Sequence, residues 1–144
     1  MAETKKTKVA IVGMGPVGMI MAVKLKEAGC EGNLCERDKI KVNRIREEGI
    51  KLEGVFESST RFEHIHGSLS KLKDENIDFL VVSLKADQVE QAASEAKKAL
   101  NTENMTIISA QNGIDVEELL IPYFGASKLL RMVINYAGNV RALN

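Results

Sequence analysis

At 144 residues the chain has room for about one domain with a single core, which is short for a cofactor-dependent enzyme carrying its own substrate site. Its 44% hydrophobic and 28% charged residues exclude a disordered chain, and 20 basic against 20 acidic residues leave no net charge to draw it to nucleic acid or a membrane surface. No apolar run nears the roughly 18 residues of a membrane span, and residues 1–8 are polar with no apolar signal core behind them, so the expected compartment is the cytoplasm.

Residues 8–18, Lys-Val-Ala-Ile-Val-Gly-Met-Gly-Pro-Val-Gly, form a short apolar run that breaks at Gly13, Gly15 and Gly18 and continues into a helical pattern over 17–28. Strand, tight turn and helix are the setting in which G-x-G-x-x-G binds a dinucleotide. Gly13 permits the sharp turn, Gly15 lets the backbone approach a pyrophosphate, and Gly18 lets the helix pack closely. The helix N-terminus adds unpaired N–H groups and partial positive charge. Gly29 is placed to end the helix, and a weakly hydrophobic second strand follows at about 32–36. Cys30 and Cys35 lack metal-site or redox-motif spacing and read as free thiols.

Asp38 can cap a short surface helix carrying Ile40, Val42 and Ile45 and ended by Gly49. Residues 50–57 alternate apolar and polar around Gly54 as a small antiparallel hairpin, which 61–66 extends. His64 and His66 share a face of that pattern, but with no third ligand of matching type nearby they read as an ordinary polar face beside Glu63. The run Phe79-Leu-Val-Val-Ser-Leu suits a strand buried on both faces, and Val89, Ala92, Ala93, Ala96 and Leu100 recur at helical spacing behind it. A strand at 106–110, Gln111-Asn-Gly, a helix at about 116–120 with Pro122 near its end, and a last strand over 129–136 complete the pattern. The expected fold is α/β: a Rossmann-type, doubly wound, mostly parallel sheet with a small antiparallel hairpin insertion, one domain over 1–144.

Ligands of such sheets bind outside the carboxyl ends of the strands, and four strand ends carry candidates: the glycine turn, Glu36 with Arg37, Lys85, and Gln111-Asn112-Gly113. Glu36, about 20 residues past the turn, can accept from ribose hydroxyls and favour NAD, whereas Arg37 can pair with a 2′-phosphate and favour NADP. A carboxylate repels a phosphate of charge near −2, so NADP requires Glu36 to turn away; a solvated turn is the bland alternative for the pair. Lys85 follows a buried strand at a helix start, where helix electrostatics do not favour a cation and an anionic or carbonyl-bearing ligand does. Asn112 before Gly113, taken alone, is a turn dipeptide.

Together the glycine turn, Leu84-Lys-Ala-Asp-Gln and Gln111-Asn-Gly resemble the N-terminal domain of the 2-dehydropantoate 2-reductase (ketopantoate reductase) family over most of the chain. The resemblance implies an oxidoreductase that reduces 2-dehydropantoate to (R)-pantoate with NADPH, in pantothenate and coenzyme A biosynthesis, through a Rossmann domain joined to a helical second domain. It implies that Gly13, Met14, Gly15, Pro16, Val17 and Gly18 hold the pyrophosphate, that Arg37, beside Glu36, meets the adenosine 2′-phosphate, and that Lys85 and Asn112 act near the nicotinamide ribose and the substrate. Gly138, with Ala137, resembles the segment whose backbone meets the nicotinamide amide. Glu36 departs from an NADPH pattern and leaves NAD as the alternative. The family's general acid is a lysine of the second domain, which this sequence does not reach; the chain is therefore expected to bind cofactor, to reduce no keto acid alone, and to need no metal. A homodimer through the second domain also fits. Two other readings stay open: the first domain of another β-hydroxyacid or opine-type dehydrogenase, or a free-standing NAD(H)-sensing regulatory module, which has no reason to line the nicotinamide end with Lys85 and Asn112.

Overall fold

The computed structural model describes residues 4–141; residues 1–3 and 142–144 of the domain expected over 1–144 lie outside the described residues. The N-terminal apolar run forms β1 (Lys8–Val12), turns through the glycines into α1 (Pro16–Glu27), and returns as β2 (Glu31–Cys35) parallel to β1. Pro16 suits the first helical turn, where its missing N–H costs nothing. The helix closes at Gly29, whose N–H reaches the Lys26 carbonyl and whose φ of +95° turns the chain so that the Cys30 N–H reaches the Leu25 carbonyl. Asp38 caps α2 (Lys39–Glu48), accepting from the N–H groups of Ile40 and Lys41 at 2.9 and 3.2 Å.

The chain continues through β3 (Ile50–Leu52), β4 (Ser58–Thr60), β5 (Ile65–His66), β6 (Phe79–Val82), α3 (Ala86–Ala99), β7 (Thr106–Ser109), α4 (Ile121–Phe124) and β8 (Leu129–Arg131). Six strands form one sheet in the order β5-β2-β1-β6-β7-β8, and every pairing in it is parallel. Strand alternation splits the core in two. Ala10, Val12, Leu80, Val82 and Ile107 meet the α3 residues Val89, Ala92, Ala93 and Ala96, whereas Val9, Ile11 and Val81 meet Met21, Ala22 and Val23 of α1 and Val42 and Ile45 of α2. The alanines of α3 let its axis approach the sheet, so the doubly wound architecture follows from period-2 strands covered on both faces. Among the described residues no helix is long and apolar enough to cross a membrane.

Three expectations are corrected. Residues 61–66 do not extend the hairpin: β3 pairs antiparallel with β4 alone, and Ile65 and His66 pair in parallel with Leu34 and Cys35 at the sheet edge. The buried Ile65 and Phe62 draw that segment onto the sheet, where the Phe62 ring lies against Gly32 and the last three residues of β2 are buried. The last strand stops at Arg131 instead of running to 136. Met132, Ile134 and Tyr136 are nonetheless partly buried, packed against the cluster formed by α1 and that face of the sheet. Finally, Val116–Leu120 is a 3₁₀ turn that runs into α4, and Pro122 stands at the start of that helix, not near the end of an earlier one.

Candidate functional site

Cys35, Val12, Val82, Ser109 and Arg131 are register partners across five adjacent parallel strands. The residues that follow them therefore emerge at one edge of the sheet, in the order Glu36 and Arg37, glycine turn, Lys85, Asn112. Strand β1 is the switch point, with β2 on one side and β6 on the other, and the crevice of an open parallel sheet lies there.

Each glycine of the turn has a distinct reason. Gly13 has φ +97°, and a Cβ on it would stand 2.8 Å from the Ser83 carbonyl oxygen. On Gly18 a Cβ would lie 1.9 Å from the Gly13 carbonyl oxygen and 2.7 Å from the Ser83 hydroxyl, so the close approach is between helix and turn. Gly15 has no atom within 4 Å of where a Cβ would be, and it precedes α1 with no side chain capping the helix. Open space beside an uncapped helix start is what a pyrophosphate requires, so the residues present fit a dinucleotide. Met14 contributes no side chain to the crevice, since it is fully buried; Pro16 and Val17 are half-buried in the first helical turn. The Ser83 hydroxyl, within 3.1 Å of the Val12 carbonyl and 2.8 Å of the Gly13 carbonyl, fastens the turn to β6.

At the β2 side of the crevice the Glu36 carboxylate accepts from the Met14 N–H at 2.9 Å and the Asp38 N–H at 3.0 Å, with the Lys41 ammonium 3.8 Å away. Arg37 is exposed and donates to the Gln91 side chain on α3 at 2.8 Å. Between them a cleft is lined by Gly13, Glu36, Arg37, Leu69, Leu84 and Gln88. Cys35 also borders it, but burial, with a contribution from Glu95, pushes the thiol up to about 12, which removes it as a nucleophile.

At the other end Lys85 is exposed and stands immediately before α3 without capping it. The Gln111 amide donates to the Leu84 carbonyl and its oxygen accepts from the Ser109 hydroxyl at 2.8 Å, a strut between the loops that carry Lys85 and Asn112. Arg131 holds the far side of the Asn112 loop, donating to the Gly113 carbonyl and to Glu117, each at 3.0 Å. Asn112 itself is exposed. Gly138 lies against Ile20 and Pro16, which brings the 137–138 segment over the start of α1, and the Tyr136 hydroxyl reaches the Val17 carbonyl at 3.4 Å. All the candidates thus share one edge. Ser83 and Arg131 escaped the sequence reading, because a strand-end serine and an exposed arginine carry no local signal of partners so distant in the chain.

The family model described as ketopantoate reductase PanE/ApbA matches residues 9–142. No curated protein matches the chain in sequence. Among solved structures, D-mandelate dehydrogenase with NADH and anilino(oxo)acetate is similar at TM-score 0.76 and 22% identity, over 87% of this chain and 40% of that one. The 2-dehydropantoate 2-reductase of Geobacter metallireducens GS-15 is similar at TM-score 0.75 and 22% identity, over 92% and 44% of the two chains. Glycerol-3-phosphate dehydrogenase from Coxiella burnetii gives TM-score 0.70 and 16% identity, over 88% and 39%. These likenesses establish the Rossmann-like fold, and the chain spans less than half the length of each structure.

Proposed function

Because the chain belongs to the ketopantoate reductase PanE/ApbA family of NAD(P)-dependent oxidoreductases, we propose that it is the dinucleotide-binding part of an enzyme that reduces the ketone of 2-dehydropantoate to an alcohol. The family's donor is NADPH, with NADH the alternative. The observation that carries the reading is the convergence of the glycine turn, Lys85 and Asn112 on one sheet edge, with Gln111 joining the two loops at the nicotinamide end. A bound reduced nicotinamide supplies a hydride equivalent. The chain's own residues do the rest: the uncapped helix start from Gly15 to Gly18 receives the pyrophosphate, since the N–H groups of Gly13 and Met14 are taken by the Cys35 carbonyl and the Glu36 carboxylate, and the ammonium of Lys85 and amide of Asn112 orient the ribose and the keto acid and stabilise negative charge on the carbonyl oxygen. The proton donor belongs to a helical second domain in this reading. That domain also supplies most of the substrate contacts and a homodimer interface, and the enzyme works in the cytoplasm.

A second substrate reading, an aryl 2-keto acid, is favoured by the likeness to D-mandelate dehydrogenase. The test is a reduction assay on a chain extended through the second domain, with 2-dehydropantoate and an aryl 2-keto acid in turn. Turnover of the first supports the proposal, and turnover of the second alone replaces the substrate. If the folded 144-residue chain binds neither NADH nor NADPH in titration, the dinucleotide reading fails.

A further inference from the structure

Resting on the dinucleotide reading above, we propose that Glu36 selects a dinucleotide whose adenosine ribose has a free 2′-hydroxyl, NADH in place of the NADPH that the family resemblance implies. Net charge does not decide this. Glu36, Lys41 and Arg37 sum to one positive charge, which by itself would welcome a phosphate. The hydrogen bonds decide it. The two carboxylate oxygens are pinned separately, Oε2 by the Met14 N–H at 2.9 Å and Oε1 by the Asp38 N–H at 3.0 Å, on a side chain only 14% exposed. Each oxygen keeps a free lone pair, and a ribose hydroxyl has a proton to donate to it. A phosphate dianion has none and repels the carboxylate.

For a 2′-phosphate to enter, the carboxylate must swing out and give up both bonds. They are charge-assisted, and Met14 is fully buried, so its N–H has no water to turn to. Arg37 is the residue placed to reward that movement. It is turned toward α3, where it donates to Gln91 at 2.8 Å. One exposed contact is too weak to hold a guanidinium back, but a solvent-screened Arg37–phosphate pair does not satisfy the Met14 N–H that the departing carboxylate leaves buried. Arg37 therefore borders the adenine cleft without serving as the phosphate ligand.

Calorimetric titration of the 144-residue chain with ADP-ribose and with its 2′-phosphorylated form isolates this end from the nicotinamide chemistry. The expected result is binding of ADP-ribose at least about 30-fold tighter, with NADH over NADPH showing the same order. Glu36→Gln, whose single amide oxygen keeps only one of the two backbone bonds, should bring the ratio within about threefold of unity at a lowered Tm; if that variant does not fold, the wild-type ratio remains the test. Equal or tighter binding of the 2′-phosphate overturns the selection by Glu36 and leaves the dinucleotide reading intact. Binding of neither ligand by the folded chain removes the reading itself, and the selection with it.

Discussion

Alanine at two glycines of the same turn should have opposite effects, since one is filled space and the other is open. At Gly18 the new methyl would lie 1.9 Å from the Gly13 carbonyl oxygen, and the turn cannot retreat freely because the Ser83 hydroxyl holds both the Gly13 and Val12 carbonyls to β6. Overpacking costs about 1–3 kcal/mol. The contact here is with backbone, which places it at the upper end, and the better helix propensity of alanine offsets about 1 kcal/mol. The net loss is about 2 kcal/mol. At roughly 2.1 cal/mol/K per residue, the unfolding entropy of 144 residues is about 0.3 kcal/mol/K, so Tm should fall by about 7 °C. At Gly15 the methyl meets nothing within 4 Å and φ is −80°. The poorer helix cap and the reduced freedom of the unfolded chain nearly cancel, and Tm should stay within about 2 °C. Dinucleotide affinity should nonetheless fall by about 30-fold or more, because the methyl fills space the pyrophosphate needs. Thermal melts of both variants and a calorimetric titration of Gly15→Ala measure all three quantities. A Gly18→Ala chain as stable as the parent, or a Gly15→Ala chain with undiminished affinity, would refute the reasoning.

In a chain extended through the second domain, Lys85→Ala should lower kcat/KM by about 100-fold while moving Tm by no more than about 2 °C, because the side chain is exposed and caps nothing; undiminished turnover would reduce it to a surface lysine. Cys35 should resist an alkylating reagent at about pH 8 until the chain is unfolded, since burial keeps its thiol protonated; labelling of Cys35 at the free-thiol rate in the native chain would contradict its burial. Stability should fall as pH drops through the ordinary histidine pKa of 6.5. Burial, then the nearby His64, Arg46 and Lys71, lowers the His66 pKa from 6.5, so the unfolded chain binds more protons in that window and folding loses ground as pH falls through it. Glu75, whose carboxyl the Lys8 ammonium holds below its ordinary 4.5, adds a further loss only at more acid pH. His66→Gln should flatten the upper part of the curve; an unchanged slope would refute the assignment.

What the sequence discloses is local. The glycine turn, the Asp38 cap and the Gly29 closure involve residues within one or two turns of each other, and each stands where its chemistry predicts. The apolar residues at 61–66 and at 129–136 marked segments that pack inward in part, yet the sequence could not name what receives them, and Leu130 and Val133 remain exposed. A sheet edge takes Ile65, and a cluster with α1 takes Ile134 and Tyr136. The same limit holds at the site. Glu36 was legible as a carboxylate at the right distance from the turn, but its capture by two backbone N–H groups depends on how the β2 end folds back on the glycine turn. Ser83 and Gln111 work through partners 70 and 27 residues away, beyond the reach of any periodicity.

The row of register partners from Cys35 to Arg131 has a kinetic consequence. Its members come from strands spread over most of the chain, so no contiguous peptide contains the crevice, and the crevice exists only when the sheet is complete. Ligand binding is thereby coupled to global folding and not to local order: a dinucleotide that fits should delay unfolding of the whole domain, raising apparent stability by about 2.7 kcal/mol at a hundred times its Kd. A dinucleotide that fits would then act as a clasp on a sheet whose strands pair without it.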